Sequence, residues 1–100
     1  MGWATQYIEK LKRNETVSFR PRGGSMKGKI ESGQLCVVAP VVEEDLKKGD
    51  IVLCQVNGNE YLHLIKAIQG KRYRIGNNLG RINGWITFSS IYGKLKAVEP

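Results

Sequence analysis

Short runs of alternating apolar and polar residues, separated by turn residues, make up most of this chain. Alternation with a period of two is typical of half-buried β-strands. The turns are rich in Gly, Asn and Asp, and the triplet Asn57-Gly58-Asn59 has the composition of a tight hairpin turn. Strands are therefore predicted for residues 16–20, 34–39, 51–56, 60–68, 71–75, 85–88 and 92–98.

The first residues follow a different period. Trp3, Tyr7, Ile8 and Leu11 recur at near-helical spacing with charged residues between them, which predicts a short amphipathic helix within residues 3–13.

The strands downstream follow one another through short turns, which favours an antiparallel sheet over an α/β arrangement. We therefore predict one domain over residues 1–100, with an N-terminal helix within 1–14 and a β core over 16–98. The fold class is mainly β, with coiled antiparallel sheets, and residues 76–84 are predicted to form a polar loop.

Composition narrows the class of protein. No apolar run approaches the ~18 residues of a membrane span, and the N-terminus lacks a signal-peptide core, so we expect a cytoplasmic protein without membrane contact. Sixteen basic and nine acidic residues give a net charge of +7, which attracts acidic partners. The basic residues are scattered, so a solvated basic surface is favoured over dedicated nucleic-acid binding. The oligomeric state stays open.

The two cysteines, Cys36 and Cys54, lie inside apolar runs, where a free thiol behaves as a small buried hydrophobe. Core packing is the favoured interpretation, and a disulfide between them stays an alternative. Two cysteines and one histidine are too few ligands for a metal site at these spacings. We predict no metal and no cofactor.

Two candidates carry chemistry. Ser25 follows Gly23-Gly24, and a glycine-rich turn can expose a nucleophilic hydroxyl while backbone N–H groups point at a developing oxyanion. His63 is the only histidine and is suited to accept a proton at neutral pH. Each also has a structural interpretation, because Gly-Gly-Ser is ordinary loop composition and a strand histidine is often simply packed.

The order of several blocks resembles the signal-peptidase and LexA-type serine peptidases. Gly24-Ser25-Met26 with the following 30–38 segment looks like that group's nucleophile block, and Lys48-Gly49-Asp50-Ile51-Val52 is similar to its next block. Residues 61–65 fall where the group carries its general base. The segments 75–78, 83–85 and 92–95 resemble the signal-peptidase ending.

The resemblance implies a mechanism. Ser25 would attack a peptide carbonyl and His63 would accept its proton, while the turn Gly23, Gly24 and Ser25 would hold the oxyanion. Asn77 and Asn83 stand near the positions of the group's closing aspartates and are the candidates to orient His63. The implied substrate is a soluble protein or peptide bound as an extended strand, with small side chains near the scissile bond.

The chain departs from the group's pattern. Gly28 replaces a proline, Gly23 replaces a hydroxyl-bearing residue, and asparagines replace the closing aspartates. Lys66 is an alternative base, ranked below His63 because strand alternation points it to the opposite face.

Two other functions therefore compete with a serine endopeptidase. A catalytically degenerate binding module, such as a phage protein that docks on a host protein, fits the missing carboxylates. A nucleic-acid binder is supported only by the net charge and by aromatic residues near arginines, namely Tyr73, Trp85, Arg72, Arg74 and Arg81.

Overall fold

Seven strands form one antiparallel sheet in the computed structural model, which describes residues 2–100. A single α-helix, α1, precedes the sheet, and two short 3₁₀ turns lie at Glu43–Asp45 and Phe88–Ser90. The predicted mainly-β antiparallel fold with one short N-terminal helix is confirmed. The elements are α1 (Thr5–Lys12), β1 (Val17–Phe19), β2 (Leu35–Ala39), β3 (Ile51–Val56), β4 (Asn59–Gln69), β5 (Arg72–Gly76), β6 (Ile82–Thr87) and β7 (Ile91–Glu99).

The strands lie in the order β1-β2-β7-β3-β4-β5-β6. Strands β3 to β6 are neighbours in the chain and in the sheet, as their short turns predict. The C-terminal strand β7 lies between β2 and β3 and pairs with both. The sheet therefore has two open edges, β1 on one side and β6 on the other.

The backbone of the β3–β4 hairpin explains why the sequence predicts this turn. Asn57 and Gly58 both adopt positive φ, 51° and 83°, and Val56 pairs with Asn59 across the turn. Two consecutive positive φ angles suit the right-handed twist of the flanking strands, and asparagine and glycine tolerate them at least cost.

The sheet buries apolar side chains on both faces. Ile8 and Leu11 of α1 pack in one cluster with Leu53, while Val52 and Cys54 belong to a second cluster. Strand β3 supplies both clusters because successive side chains point to opposite faces. The helix therefore covers one face of the sheet, close to the edge strand β1.

The predicted polar loop over 76–84 is wrong at both ends. Gly76 is the last residue of β5 and pairs with Ile82, the first residue of β6, so the loop spans only residues 77–81. A register shift between Ile75 and Gly76 accommodates this pairing. At the other end of β6, Phe88 begins a 3₁₀ turn instead of ending the strand.

Both cysteines are free and fully buried, as the core-packing interpretation predicts. Burial raises the pKa of the Cys54 thiol to about 12 and also raises the pKa of Cys36. The thiols are therefore protonated at neutral pH, and the disulfide alternative is not formed. Separately, no helix within residues 2–100 is long and apolar enough to cross a bilayer.

Candidate active site

The loop between β1 and β2 presents Ser25 to solvent. Met26 and Ile30 on either side of the exposed loop segment are buried, and the Met26 carbonyl accepts hydrogen bonds from the N–H groups of Lys29 and Ile30. Gly23 has a φ of 113°, a conformation that L side chains rarely adopt. Two buried anchors and a glycine turn thus fix the backbone that carries an exposed hydroxyl.

Gly28 stands where the peptidases that the sequence resembles carry a proline, and its backbone conformation is one that proline cannot adopt. Its φ is 97°, whereas a proline ring holds φ near −65°. Its N–H also donates to Glu31 Oε2 at 2.9 Å, and proline has no N–H. The middle of this loop therefore follows a path that a proline could not take.

The side chain of His63, on β4, approaches the hydroxyl of Ser25 in the β1–β2 loop. Its Nε2 lies 3.2 Å from Ser25 Oγ. The imidazole is only 6% exposed, and the Tyr61 ring stacks on it with the centroids 4.8 Å apart. Two residues 38 positions apart in the chain are thus brought within hydrogen-bonding distance, and the Tyr61 ring packs against the imidazole.

Asn83 of β6 holds the other side of the imidazole. Its Oδ1 lies 2.7 Å from His63 Nδ1. An amide oxygen only accepts hydrogen bonds, so Nδ1 carries the proton and Nε2 presents its lone pair to Ser25. This tautomer is the one that a general base needs.

The second candidate orienter, Asn77, is engaged elsewhere. Its Oδ1 accepts hydrogen bonds from the N–H groups of Leu79 and Arg81, each at 2.9 Å. Asn77 therefore closes the loop that leads into β6, and of the two asparagines the structure brings only Asn83 to His63.

Asn78 is a contact that the sequence did not single out. Its N–H donates to the Ser25 carbonyl at 3.0 Å, and its Nδ2 donates to the Lys27 carbonyl at 2.8 Å. The β5–β6 loop therefore holds the serine loop directly. Asn78 belongs to the 75–78 segment that resembles the signal-peptidase ending, but of this segment only Asn77 was a candidate site residue. No sequence signal indicated a contact between Asn78 and the serine loop.

Burial is the main influence on the titration of the histidine. Removal from water disfavours the charged imidazolium and lowers the pKa of His63 below its ordinary 6.5. The hydrogen bond that His63 donates to Asn83 opposes this shift, while the charges of Arg81 and Lys66 add to it. The imidazole is therefore neutral, and able to accept a proton, at neutral pH.

The three residues predicted to form the oxyanion turn, Gly23, Gly24 and Ser25, differ in whether their backbone N–H groups already donate a hydrogen bond. The Gly23 N–H donates to Ser32 Oγ at 3.0 Å and is occupied. Within residues 2–100, the Ser25 and Gly24 N–H groups donate to no protein acceptor. Ser25 and Gly24, and not Gly23, therefore have N–H groups without a protein acceptor next to the Ser25 hydroxyl.

Lys66, the alternative base, lies at a bulge where the β4–β5 register shifts between Ile65 and Ala67. Simple alternation therefore does not fix where its side chain points. Its charge acts on His63, but the hydrogen-bonding partner of Ser25 Oγ is His63.

A cleft of about 390 Å³ opens beside the pair of Ser25 and His63. Its far wall is aromatic. Phe19 packs against Tyr7, with ring centroids 4.5 Å apart, and against Trp3 at 5.5 Å. The N-terminal helix, which the sequence predicted only as a flank, thus supplies part of the cleft wall.

Glu60 holds the N-terminal segment that contributes Trp3 to this wall. Its Oε1 accepts the Ala4 N–H at 2.7 Å, its Oε2 accepts the Thr5 hydroxyl at 3.0 Å, and its carbonyl accepts Trp3 Nε1 at 3.0 Å. Glu60 is nearly buried and stands at the N-terminus of α1, where the helix dipole favours a negative charge. A contact 56 residues away in sequence could not be anticipated from local pattern.

Asp50, from the second family-like block, does not reach the site. It forms an ion pair with Lys94 of β7, with 3.3 Å between Oδ2 and Nζ. The block therefore joins the start of β3 to β7.

Comparison of the chain with protein-family models, with curated proteins and with solved structures gives no match in any of the three. In the described part of the chain, no group of three His, Cys, Asp or Glu side chains is arranged to hold a metal ion.

Proposed function

We propose that this protein is a serine peptidase-like enzyme in which Ser25 is the nucleophile and His63 is the general base. The observation that carries the proposal is the chain of contacts from Ser25 Oγ to His63 Nε2 and from His63 Nδ1 to Asn83 Oδ1. It joins a nucleophile, a base and an orienting group, which is the logic of a catalytic triad.

The proposed reaction is acyl transfer. Ser25 Oγ attacks the carbonyl carbon of a peptide bond while its proton moves to His63 Nε2. The oxyanion is stabilised by the free N–H groups of Ser25 and Gly24. The imidazolium then protonates the leaving amine, and water releases the acyl group by the same route in reverse.

The proposed substrate is a soluble cytoplasmic protein, bound as an extended strand. The open edge strand β1 supports this mode because it runs directly into the serine loop and its far side is unpaired in the sheet. Extended peptides commonly bind by adding a strand to such an edge.

Covalent labelling with a serine-directed phosphonate tests the proposal. The Oγ–P bond forms as the leaving group departs, and intact mass reports the adduct. We expect labelling of the native protein, none of Ser25→Ala, and a rate about 10²- to 10⁴-fold lower in His63→Ala, the usual contribution of a general base. The rate should rise with pH and level off with a midpoint below 6.5, since burial lowers the pKa of His63.

Ser89→Ala is the matched control, because Ser89 is an exposed serine of the 3₁₀ turn Phe88–Ser90 and does not line the cleft. It should label at the native rate. The probes carry either a small or a large side chain. If the native protein is labelled no faster than the His63→Ala variant by either kind of probe, the enzymatic proposal is wrong.

The alternative is a peptidase-fold binding module, and the observation that favours it is the neutral Asn83. An amide stabilises an imidazolium less than a carboxylate does, so the site holds the correct tautomer without the charge of a triad aspartate. This alternative predicts an unreactive Ser25 together with intact peptide binding in the cleft.

A further inference from the structure

The cleft beside Ser25 is larger and more aromatic than a site for small side chains requires. At about 390 Å³ it falls at the low end of the ~300–1,000 Å³ typical of ligand clefts, enough for a few residues of an extended peptide. Trp3, Tyr7 and Phe19 line it together with Met26 and Ile30. These side chains offer apolar and ring surface, which favours a large apolar group over a methyl group.

The aromatic wall is held in place before any peptide binds. Tyr7 and Phe19 stack on one another, and the indole N–H of Trp3 is already satisfied by the Glu60 carbonyl. Trp3 is nevertheless 49% exposed, so its ring still offers surface to an incoming side chain. A preformed apolar wall reduces the entropy lost when a ligand binds.

The charges at the cleft are not equivalent. The carboxylates of Glu31 and Glu60 accept hydrogen bonds from backbone N–H groups, and Arg20 donates to the carbonyls of Gly33 and Pro100. The exposed Arg22 forms no ion pair with any carboxylate of residues 2–100. The hydrogen bonds hold both carboxylates and Arg20 in place without removing their charges, so Arg22 is the charged side chain of the lining that is free to turn toward a ligand. The net charge of +7 favours an acidic ligand.

We propose that the cleft selects peptide segments in which a large apolar side chain, best an aromatic one, stands next to an acidic residue. The apolar group lies against the Trp3–Tyr7–Phe19 wall and the acid meets Arg22. This inference rests on the proposed function in that it places the substrate in the same cleft, and it replaces the small side chains that the family resemblance implies.

Binding to the unreactive Ser25→Ala protein tests the inference without turnover. The probe is a blocked pentapeptide with Phe at its centre, Glu on each side and Ala at both ends, titrated into ¹⁵N-labelled protein. Three matched peptides change the centre to Ala, both Glu to Gln, or both Glu to Lys. Amide shifts give the dissociation constant and the place of binding.

We expect shifts around the cleft and a dissociation constant that rises about tenfold or more when Phe becomes Ala, the size expected for emptying an apolar pocket. Changing Glu to Gln should cost about two- to fivefold, as for an exposed ion pair, and Lys should cost more. In Arg22→Gln the preference for Glu over Gln should shrink to the small part that the remaining net charge produces. Arg74→Gln, an exposed arginine of β5 that does not line the cleft, should keep the native preference.

Equal affinities for all four peptides, tighter binding of the Ala-centred peptide, or shifts confined to β5 and β6 would overturn the inference. Its failure differs from failure of the proposed function. Labelling of Ser25 without this selectivity leaves a peptidase of another specificity, whereas selective binding without labelling leaves a binding module with this ligand.

Discussion

At the scale of single residues, the site depends on a histidine that is both buried and oriented. Burial keeps His63 neutral, and Asn83 places the proton on Nδ1, so Nε2 is a free acceptor facing Ser25. The two effects act together, because a neutral imidazole in the wrong tautomer would present an N–H to the serine and could not take its proton. The uncharged Asn83 sets orientation without adding a negative charge.

The lowered pKa of His63 has a consequence for stability. Between the folded pKa and the ordinary 6.5, the unfolded chain binds a proton that the folded chain does not. The free energy of unfolding is therefore highest above pH 6.5 and falls as the pH drops through the folded pKa. We expect the difference in unfolding free energy, native minus His63→Gln, to be constant above about pH 7.5 and to decrease below 6.5.

Urea unfolding at intervals from pH 5 to 8 measures this difference, and the variant removes the contribution of other titrating groups. A difference that grows as the pH falls would mean that the folded protein prefers the imidazolium. His63 would then be charged near neutral pH and unsuited to accept a proton from Ser25.

The candidate residues could be predicted from sequence, but their contacts could not. Ser25 stood out by its glycine turn and His63 by being the only histidine, and family-like spacing tied them together. Asn77 and Asn83 were equivalent in the sequence. What separates them is the Gly76–Ile82 pairing and its register shift, which place Asn83 inside β6 beside His63 and leave Asn77 in the loop.

At the scale of elements, one acidic side chain fixes the N-terminus of α1, whose apolar residues Ile8 and Leu11 pack on the sheet. Glu60 accepts hydrogen bonds from Ala4 and Thr5 and stands at the beginning of the helix. We expect Glu60→Ala to lower the free energy of unfolding by about 2 kcal/mol, because a buried N–H loses a charged acceptor. Chemical denaturation measures the loss, and hydrogen exchange should show the largest gain in exchange rate in α1.

Glu60→Gln is the matched variant, because it keeps one acceptor oxygen and removes the charge. The free energy of unfolding should fall by less in Glu60→Gln, about 1 kcal/mol. Most of this decrease should come from losing the attraction between the negative charge and the helix dipole. If Glu60→Ala unfolds like the native protein and leaves α1 equally protected, another contact must hold the helix.

Strands could be predicted where the residues of the strand and of its turn were enough to indicate it, without knowledge of the pairing partner. The hairpin around Asn57-Gly58 needs two positive φ angles, and asparagine and glycine are the residues that adopt them most readily. The strands β3 and β4 could therefore be predicted on each side of this turn. The start of β6 was hidden because Ile82, Asn83 and Gly84 follow a polar loop and show no alternation. Only the pairing partner on β5 identifies them as strand.

At the scale of the whole molecule, the basic residues behind the net charge of +7 are scattered along the chain. The exposed group of Arg72, Arg74 and Trp85 is modest, and Arg72 already lies over the Trp85 ring at 5.2 Å. We expect single-stranded oligothymidine to bind weakly, with an affinity that falls steeply with salt, and to leave phosphonate labelling of Ser25 unchanged at about 150 mM salt.

A peptide nucleic acid of the same length, which lacks phosphates, is the control for this experiment. Oligothymidine that blocks labelling, or that still binds tightly at about 150 mM salt, would favour the nucleic-acid function over the peptidase-like one. Weak, salt-sensitive binding is what scattered charge alone produces.

The position of β7 governs when the site can exist. In the described part of the chain, the pairing of β7 is the only strand pairing that joins the half of the sheet next to the Ser25 loop to the half that contains His63. A ribosome makes residues 91–99 after every other strand. Until these residues emerge from the exit tunnel, Ser25 and His63 belong to two halves of the sheet that share no strand pairing. Loop and side-chain contacts, such as those of Asn78 and Glu60, then hold the halves together alone, so the strand pairing that supports the candidate site is completed only when β7 joins the sheet.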